Sequence, residues 1–156
     1  MRINQVSTFR GEDQCKKIMD SKIYEEVKDL AIKLVNASEV DDTQEYWSLY
    51  NQLEEICSKN ENGENNHPFQ WETLGDFTSD NTAALEIYKK SLALAEELKL
   101  NEYIASVTFA MAERYGELGE NKMAIQTARQ ANKVAENLDD LELRREISEF
   151  LLNECT

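Results

Sequence analysis

The sequence predicts an all-α protein of about seven helices, paired as successive hairpins and closed by a final helix. Three observations carry that prediction. Helix formers (Leu, Ala, Glu, Lys, Gln) dominate a chain with one proline and five glycines. Apolar residues recur at three- and four-residue intervals, and no stretch alternates as a strand would except Met1 to Phe9. Third, Ala84 and Ala124, Tyr88 and Ala128, and Ser91 and Ala131 all stand 40 positions apart, which marks an internal repeat. The length of 156 residues suits one domain with a core of its own.

Residues 1–20 form an N-terminal arm, locally basic through Arg2, Arg10, Lys16 and Lys17, either loose or packed as an irregular lead-in. The first helix runs from Ser21 to Ala37. Asp20 or Ser21 is placed to cap it by accepting a backbone N–H, and Ile23, Val27, Leu30, Ala31, Leu34 and Val35 form its apolar stripe. Asp42 with Glu45 three residues on is a capping-box arrangement for a second helix, to Lys59. Its stripe is Tyr46, Tyr50, Leu53 and Cys57, with Trp47, Leu49 and Ile56 beside it, a broad aromatic face expected in the core.

Asn60 to His67 is a loop by composition. It fails as a calcium loop: with Gly63 at the required glycine, Ser58 stands first and Phe69 last, where acids are needed. Pro68 opens a short third helix ending near Phe77, since its missing N–H costs nothing in a first turn. Asn81 is expected to cap a fourth, to about Leu98, with Ala84, Ile87, Tyr88, Ser91, Leu92, Ala95 and Leu98 on one stripe. A fifth starts at Asn101, turns Ile104, Val107, Met111 and Tyr115 inward, and ends where Gly119 supplies a left-handed residue. The sixth packs through Ala124, Ala128, Ala131, Ala135 and Leu138. Asp139 and Glu142 mark the seventh, with Leu143, Ile147, Phe150 and Leu151 inward.

Two stretches carry a family resemblance. Trp71-x-x-Leu74-Gly75 is followed by Ala84-x-x-x-Tyr88-x-x-Ser91. Met111-Ala112-x-x-Tyr115 and Gly119 are followed by Ala124-x-x-x-Ala128-x-x-Ala131. This pattern resembles the tetratricopeptide repeat (TPR), in its longer variety of about 40 residues. Thr78 stands where an aromatic is expected, Thr108 at the Trp position and Ala128 at the second aromatic position, and the closing Pro is missing from both units. The resemblance implies a right-handed α-α superhelix of hairpins at about 21–59, 69–98 and 101–138, capped by a helix at about 140–153, in a single domain over 21–156. It implies that Trp71, Tyr88, Met111 and Tyr115 fill the space between units. It also implies a partner groove lined by the first helix of each unit. On those helices the outward positions are Glu72, Asp76, Phe109, Glu113 and Glu117, which are either partner contacts or solvated helix surface.

No set of residues for catalysis emerges. The single histidine, His67, stands before Pro68, where it suits a helix cap better than a general base, and no Ser/His/Asp or Cys/His set builds around it. There is no glycine-rich phosphate loop, and adjacent acids on a helix diverge by about 100°, so the Glu-Glu and Asp-Asp pairs share no face. Cys15, Cys57 and Cys155 have no zinc or disulfide spacing and read as reduced thiols. A non-enzyme without metal or cofactor is expected.

Acidic residues number 31 against 17 basic ones, a net charge of −14. That sign disfavours nucleic acid and anionic membranes alike. No apolar run approaches ~18 residues and the start lacks an apolar signal core, so a cytoplasmic place is expected. Between Glu39 and Glu86 stand 12 acids and one base, Lys59. So concentrated a field steers basic partners. Small acidic TPR-like proteins of this look are similar to bacterial immunity proteins, antitoxins that neutralise a toxin enzyme by covering its cationic substrate site. The resemblance therefore implies either such an inhibitor or an adaptor or chaperone that holds an extended basic peptide.

Overall fold

The computed structural model describes residues 19–154, and these form seven α-helices and no strand. They are α1 (Ser21–Glu39), α2 (Thr43–Asn60), α3 (Pro68–Asp76), α4 (Asn81–Glu97), α5 (Asn101–Glu117), α6 (Asn121–Ala135) and α7 (Leu141–Glu154). The arm of residues 1–20 lies outside the described residues except for Met19 and Asp20, as do Cys15 and Cys155.

The caps follow from side chains that take the otherwise orphaned N–H groups of a first turn. Asp20 Oδ1 accepts from the backbone N–H groups of Lys22 and Ile23 at 2.9 and 3.2 Å. Asp42 Oδ1 accepts from Glu45 at 2.9 Å. His67 Nδ1 accepts from Phe69 at 3.1 Å, with Pro68 in the first helical position. For α4 the cap is Asp80, which accepts from Ala83 at 2.7 Å; Asn81, expected to cap, is the first helical residue instead. Burial holds His67 down to a pKa of about 4, so the imidazole is neutral and able to accept.

One turn recurs three times. Asp41, Lys99 and Gly119 each take a left-handed backbone, at φ 55°, 56° and 77°. In each case the next N–H reaches back five residues, from Asp42 to the carbonyl of Ala37, from Leu100 to Ala95 and from Glu120 to Tyr115, all at 2.9 Å. This Schellman geometry satisfies the last carbonyls of α1, α4 and α5 and turns the chain sharply into the next helix.

Each helix packs on the next, and α1 also touches α3, and α3 touches α5. The apolar stripes become three clusters. Tyr24, Val27, Leu34, Leu53, Phe69, Trp71 and Leu100 centre the first. Ala84, Tyr88, Val107 and Met111 form the second, with the half-buried Tyr115 against it. Ala105, Phe109, Ala128, Ala131, Ala135, Leu143 and Ile147 form the third. Between α3 and α4 the approach depends on Gly75: a Cβ there would lie 2.5 Å from the Tyr88 ring. Cys57 is buried, its thiol donates to the Gln70 carbonyl at 3.4 Å, and burial pushes its pKa up to about 12.

The aromatic face of α2 is only partly core. Leu49, Leu53, Ile56 and Cys57 are buried, Tyr46 and Tyr50 are half-buried, and Trp47 is 49% exposed. The reason is position: α2 packs chiefly on α1 and α3, so its contact stripe is narrower than its apolar one.

Candidate protein-binding face

The five positions predicted to line a groove do not form one surface. Glu72, Asp76 and Phe109 are 1%, 2% and 2% exposed. Glu113 is half-buried and Glu117 exposed. The outward placement of the first three is therefore corrected. The short α3 lies among α1, α2, α4 and α5 and is buried at every position, and α5 is held by α3, α4 and α6. Neither helix has a wide solvent stripe to offer.

The buried acids answer to polar groups from distant parts of the chain. Ser106 Oγ donates to Glu72 Oε1. Tyr88 Oη donates to Asp76 Oδ1 at 2.7 Å. The Tyr88 hydroxyl is pushed well above its ordinary pKa, first by burial and then by the Asp76 charge. Arg114, 4% exposed, donates to Asn81 Oδ1 at 2.8 Å and to the Gly75 carbonyl at 3.1 Å, while its Nη1 lies 3.9 Å from Glu117. These bonds tie α3, α4 and α5 together around charges that would be costly to bury alone. Arg114 was not singled out in the sequence. The one available signal was that it is the sole base on α5. Reversing Glu72 or Asp76 to Lys would place a cation in this interior, so these positions govern stability rather than encounter.

The acids that do meet solvent lie elsewhere. Of the 12 between Glu39 and Glu86, Glu39, Asp41, Asp42, Glu45, Glu54, Glu55, Glu64, Asp80 and Glu86 are exposed. They stud the α1–α2 turn, the outer side of α2, the loop after it and the start of α4. Few are neutralised: Glu55 pairs with Lys59 at 3.0 Å, Glu86 with Lys89 at 2.6 Å, and the half-buried Glu61 with Lys90 at 2.7 Å. Three pairs among twelve acids leave most of this negative charge uncompensated.

Within this acidic surface sits an aromatic group. Trp47 packs edge to face against Tyr46 and Tyr50, with ring centroids 5.9 and 5.5 Å away. Tyr46 Oη donates to the Phe77 carbonyl at 2.5 Å, and Tyr50 Oη lies 2.8 Å from Thr78 Oγ1. Partial burial raises the Tyr46 pKa to about 12 and that of Tyr50 in the same direction, so both hydroxyls stay protonated. Tyr46 and Tyr50 are thus fixed at their polar tips to the two residues that follow α3.

Among the described residues no three His, Cys, Asp or Glu side chains are placed to hold a metal, and no helix is long and apolar enough to cross a membrane. His67 is committed to its cap, 1% exposed, with Tyr103 edge-on at 5.3 Å. Comparison with family models, with curated proteins and with solved structures gave no match.

Proposed function

We propose that this protein is a non-enzymatic binding module whose acidic outer face captures a protein with a basic surface, and that it serves as an immunity-type inhibitor covering the cationic active site of a toxin enzyme. The observation that carries the reading is the nine exposed acids between Glu39 and Glu86, facing one base of that segment, Lys59. A field of one sign on a rigid scaffold accelerates the encounter with an oppositely charged partner and disfavours others.

A TPR-like superhelix is the arrangement that best accounts for the scaffold. Sequential packing with added contacts from α1 to α3 and from α3 to α5 is how stacked hairpins meet. The three repeated turns and the Gly75–Tyr88 approach belong to the same pattern. The alternative, an adaptor holding an extended peptide in a groove, loses its expected lining, because Glu72, Asp76 and Phe109 are buried.

Affinity capture from the native cell, with the captured protein purified and assayed as an enzyme, tests the reading. Expected is one stoichiometric partner with a basic site, whose activity falls as this protein is added and recovers with salt. A partner that stays fully active in the complex would refute the inhibitor role.

A further inference from the structure

Where α1 ends, α2 begins and the α3–α4 turn passes, the surface opens into a notch of about 240 Å³, lined chiefly by Ser38, Asp41, Asp42, Tyr46, Trp47 and Ser79. We infer that this notch seats a lysine or arginine side chain of the basic partner, held between the Trp47 ring and the Asp41 and Asp42 carboxylates. The inference rests on the binding reading above and gives it a specific anchor.

The molecule contains a filled version of the same chemistry. Its other tryptophan, Trp71, carries the Lys90 ammonium 4.6 Å from its ring centroid, and the same ammonium pairs with Glu61 at 2.7 Å. Trp71 is only 5% exposed and its indole N–H donates to Asn66 Oδ1 at 2.8 Å. Around Trp47 the aromatic face and the carboxylates recur, yet among the described residues no Lys or Arg pairs with Asp41 or Asp42. Trp47 is 49% exposed and the neighbouring Val40 74%. An indole supported by two anchored tyrosines is pre-organised, so little side-chain freedom remains to be lost when a partner arrives. Tryptophan gives the strongest cation–π attraction of the aromatic residues and is enriched among the residues that dominate interface energies. Two carboxylates at the rim select the cation over a merely apolar side chain.

The test uses the full chain and a hexa-arginine peptide, with intrinsic tryptophan fluorescence as readout and hexa-glutamate as control peptide. Asp41→Asn with Asp42→Asn removes two charges gently: asparagine tolerates the left-handed backbone at 41 and still caps at 42. Trp47→Leu removes the ring, and its binding is followed by calorimetry. Glu54→Gln with Glu55→Gln removes the same charge from α2 away from the notch. Saturable quenching by hexa-arginine and none by hexa-glutamate is expected. The Asp41/Asp42 pair and Trp47→Leu should each weaken binding at least about ten-fold, and Glu54/Glu55 by less than about two-fold, with helix content unchanged by circular dichroism. Equal weakening by the two double variants would overturn the notch while leaving the acidic face intact as a diffuse field. Failure of hexa-arginine to bind would also overturn it. Failure of the binding reading itself would show separately, as a captured native partner without a basic surface.

Discussion

Replacing Gly75 by alanine isolates the contact that sets the distance between α3 and α4. A Cβ at this position would meet three atoms of the Tyr88 ring, at 2.5, 2.7 and 3.0 Å. The ring cannot step aside cheaply, because Tyr88 is 2% exposed and its hydroxyl is bonded to the buried Asp76 at 2.7 Å. Overpacking of this kind costs about 1–3 kcal/mol, and loosening a hydrogen bond to a buried charge adds about 1–3 kcal/mol. Against that, alanine gains about 1 kcal/mol over glycine in a helix interior. The net expectation is destabilisation by about 1–5 kcal/mol. Gly116→Ala is the matched control in α5, where the new Cβ would meet the Phe150 ring at 3.6 and 3.8 Å, ordinary contact distances. That variant should be neutral or more stable by up to about 1 kcal/mol. Urea unfolding followed at 222 nm reads both variants, with the slope checked for constancy. If Gly75→Ala unfolds at the same urea concentration as Gly116→Ala, α3 and α4 are not in close contact at this point and the helix-pair geometry is wrong.

Other consequences concern local chemistry. His67 has a pKa of about 4 in the folded chain against about 6.5 unfolded. Below 6.5 the unfolded chain takes a proton that the folded one refuses, so stability should fall as pH drops from about 6.5 to about 4, by up to ~3 kcal/mol at full effect. His67→Asn, which can still cap α3, should flatten that part of the stability–pH curve; an unchanged curve would mean the acid loss comes from other groups. Lys99 holds a left-handed φ of 56° without being glycine, so Lys99→Gly should raise stability by about 0.5–1 kcal/mol in the same urea assay. Arg114→Met should cost about 2–4 kcal/mol, since it leaves the Gly75 carbonyl and Asn81 without their donor; a loss under about 0.5 kcal/mol would place Arg114 at the surface.

Most of the helices were legible because they carry a periodic apolar stripe or a capping side chain, both local properties of the chain, although α5 and α6 have no side-chain cap and α3 is buried on every side. Gly119, His67 and Pro68 did what their chemistry dictates at a left-handed turn, a cap and a first turn. Asp80 displaced Asn81 as a cap by one residue, a choice between two neighbours of equal aptitude. What local pattern could not show is how many sides of a helix are covered. Glu72 and Asp76 look like surface acids until Ser106 and Tyr88, 34 and 12 residues away, are brought onto them. Phe109 looks outward until Phe150 of α7 packs edge-on against it at 5.6 Å. Trp47 erred in the other direction: α2 packs chiefly on α1 and α3, and the indole is left 49% exposed. The candidate surface therefore moved from the interior-facing acids of α3 and α5 to the acids and the exposed tryptophan around α2.

Encounter with a basic partner is expected to be governed by this outer face and not by the buried acids. Reversing Glu45, Glu54 and Glu55 to Lys, all exposed on α2, and measuring the association rate with the captured partner by stopped flow tests it most directly. At ~0.01 M salt the screening length is ~30 Å, against a few ångström near ~0.5 M. Expected is a rate at least about ten-fold slower than wild type at low salt, a difference that closes in high salt, and unchanged helix content. Equal rates for wild type and variant at both salt concentrations would contradict it.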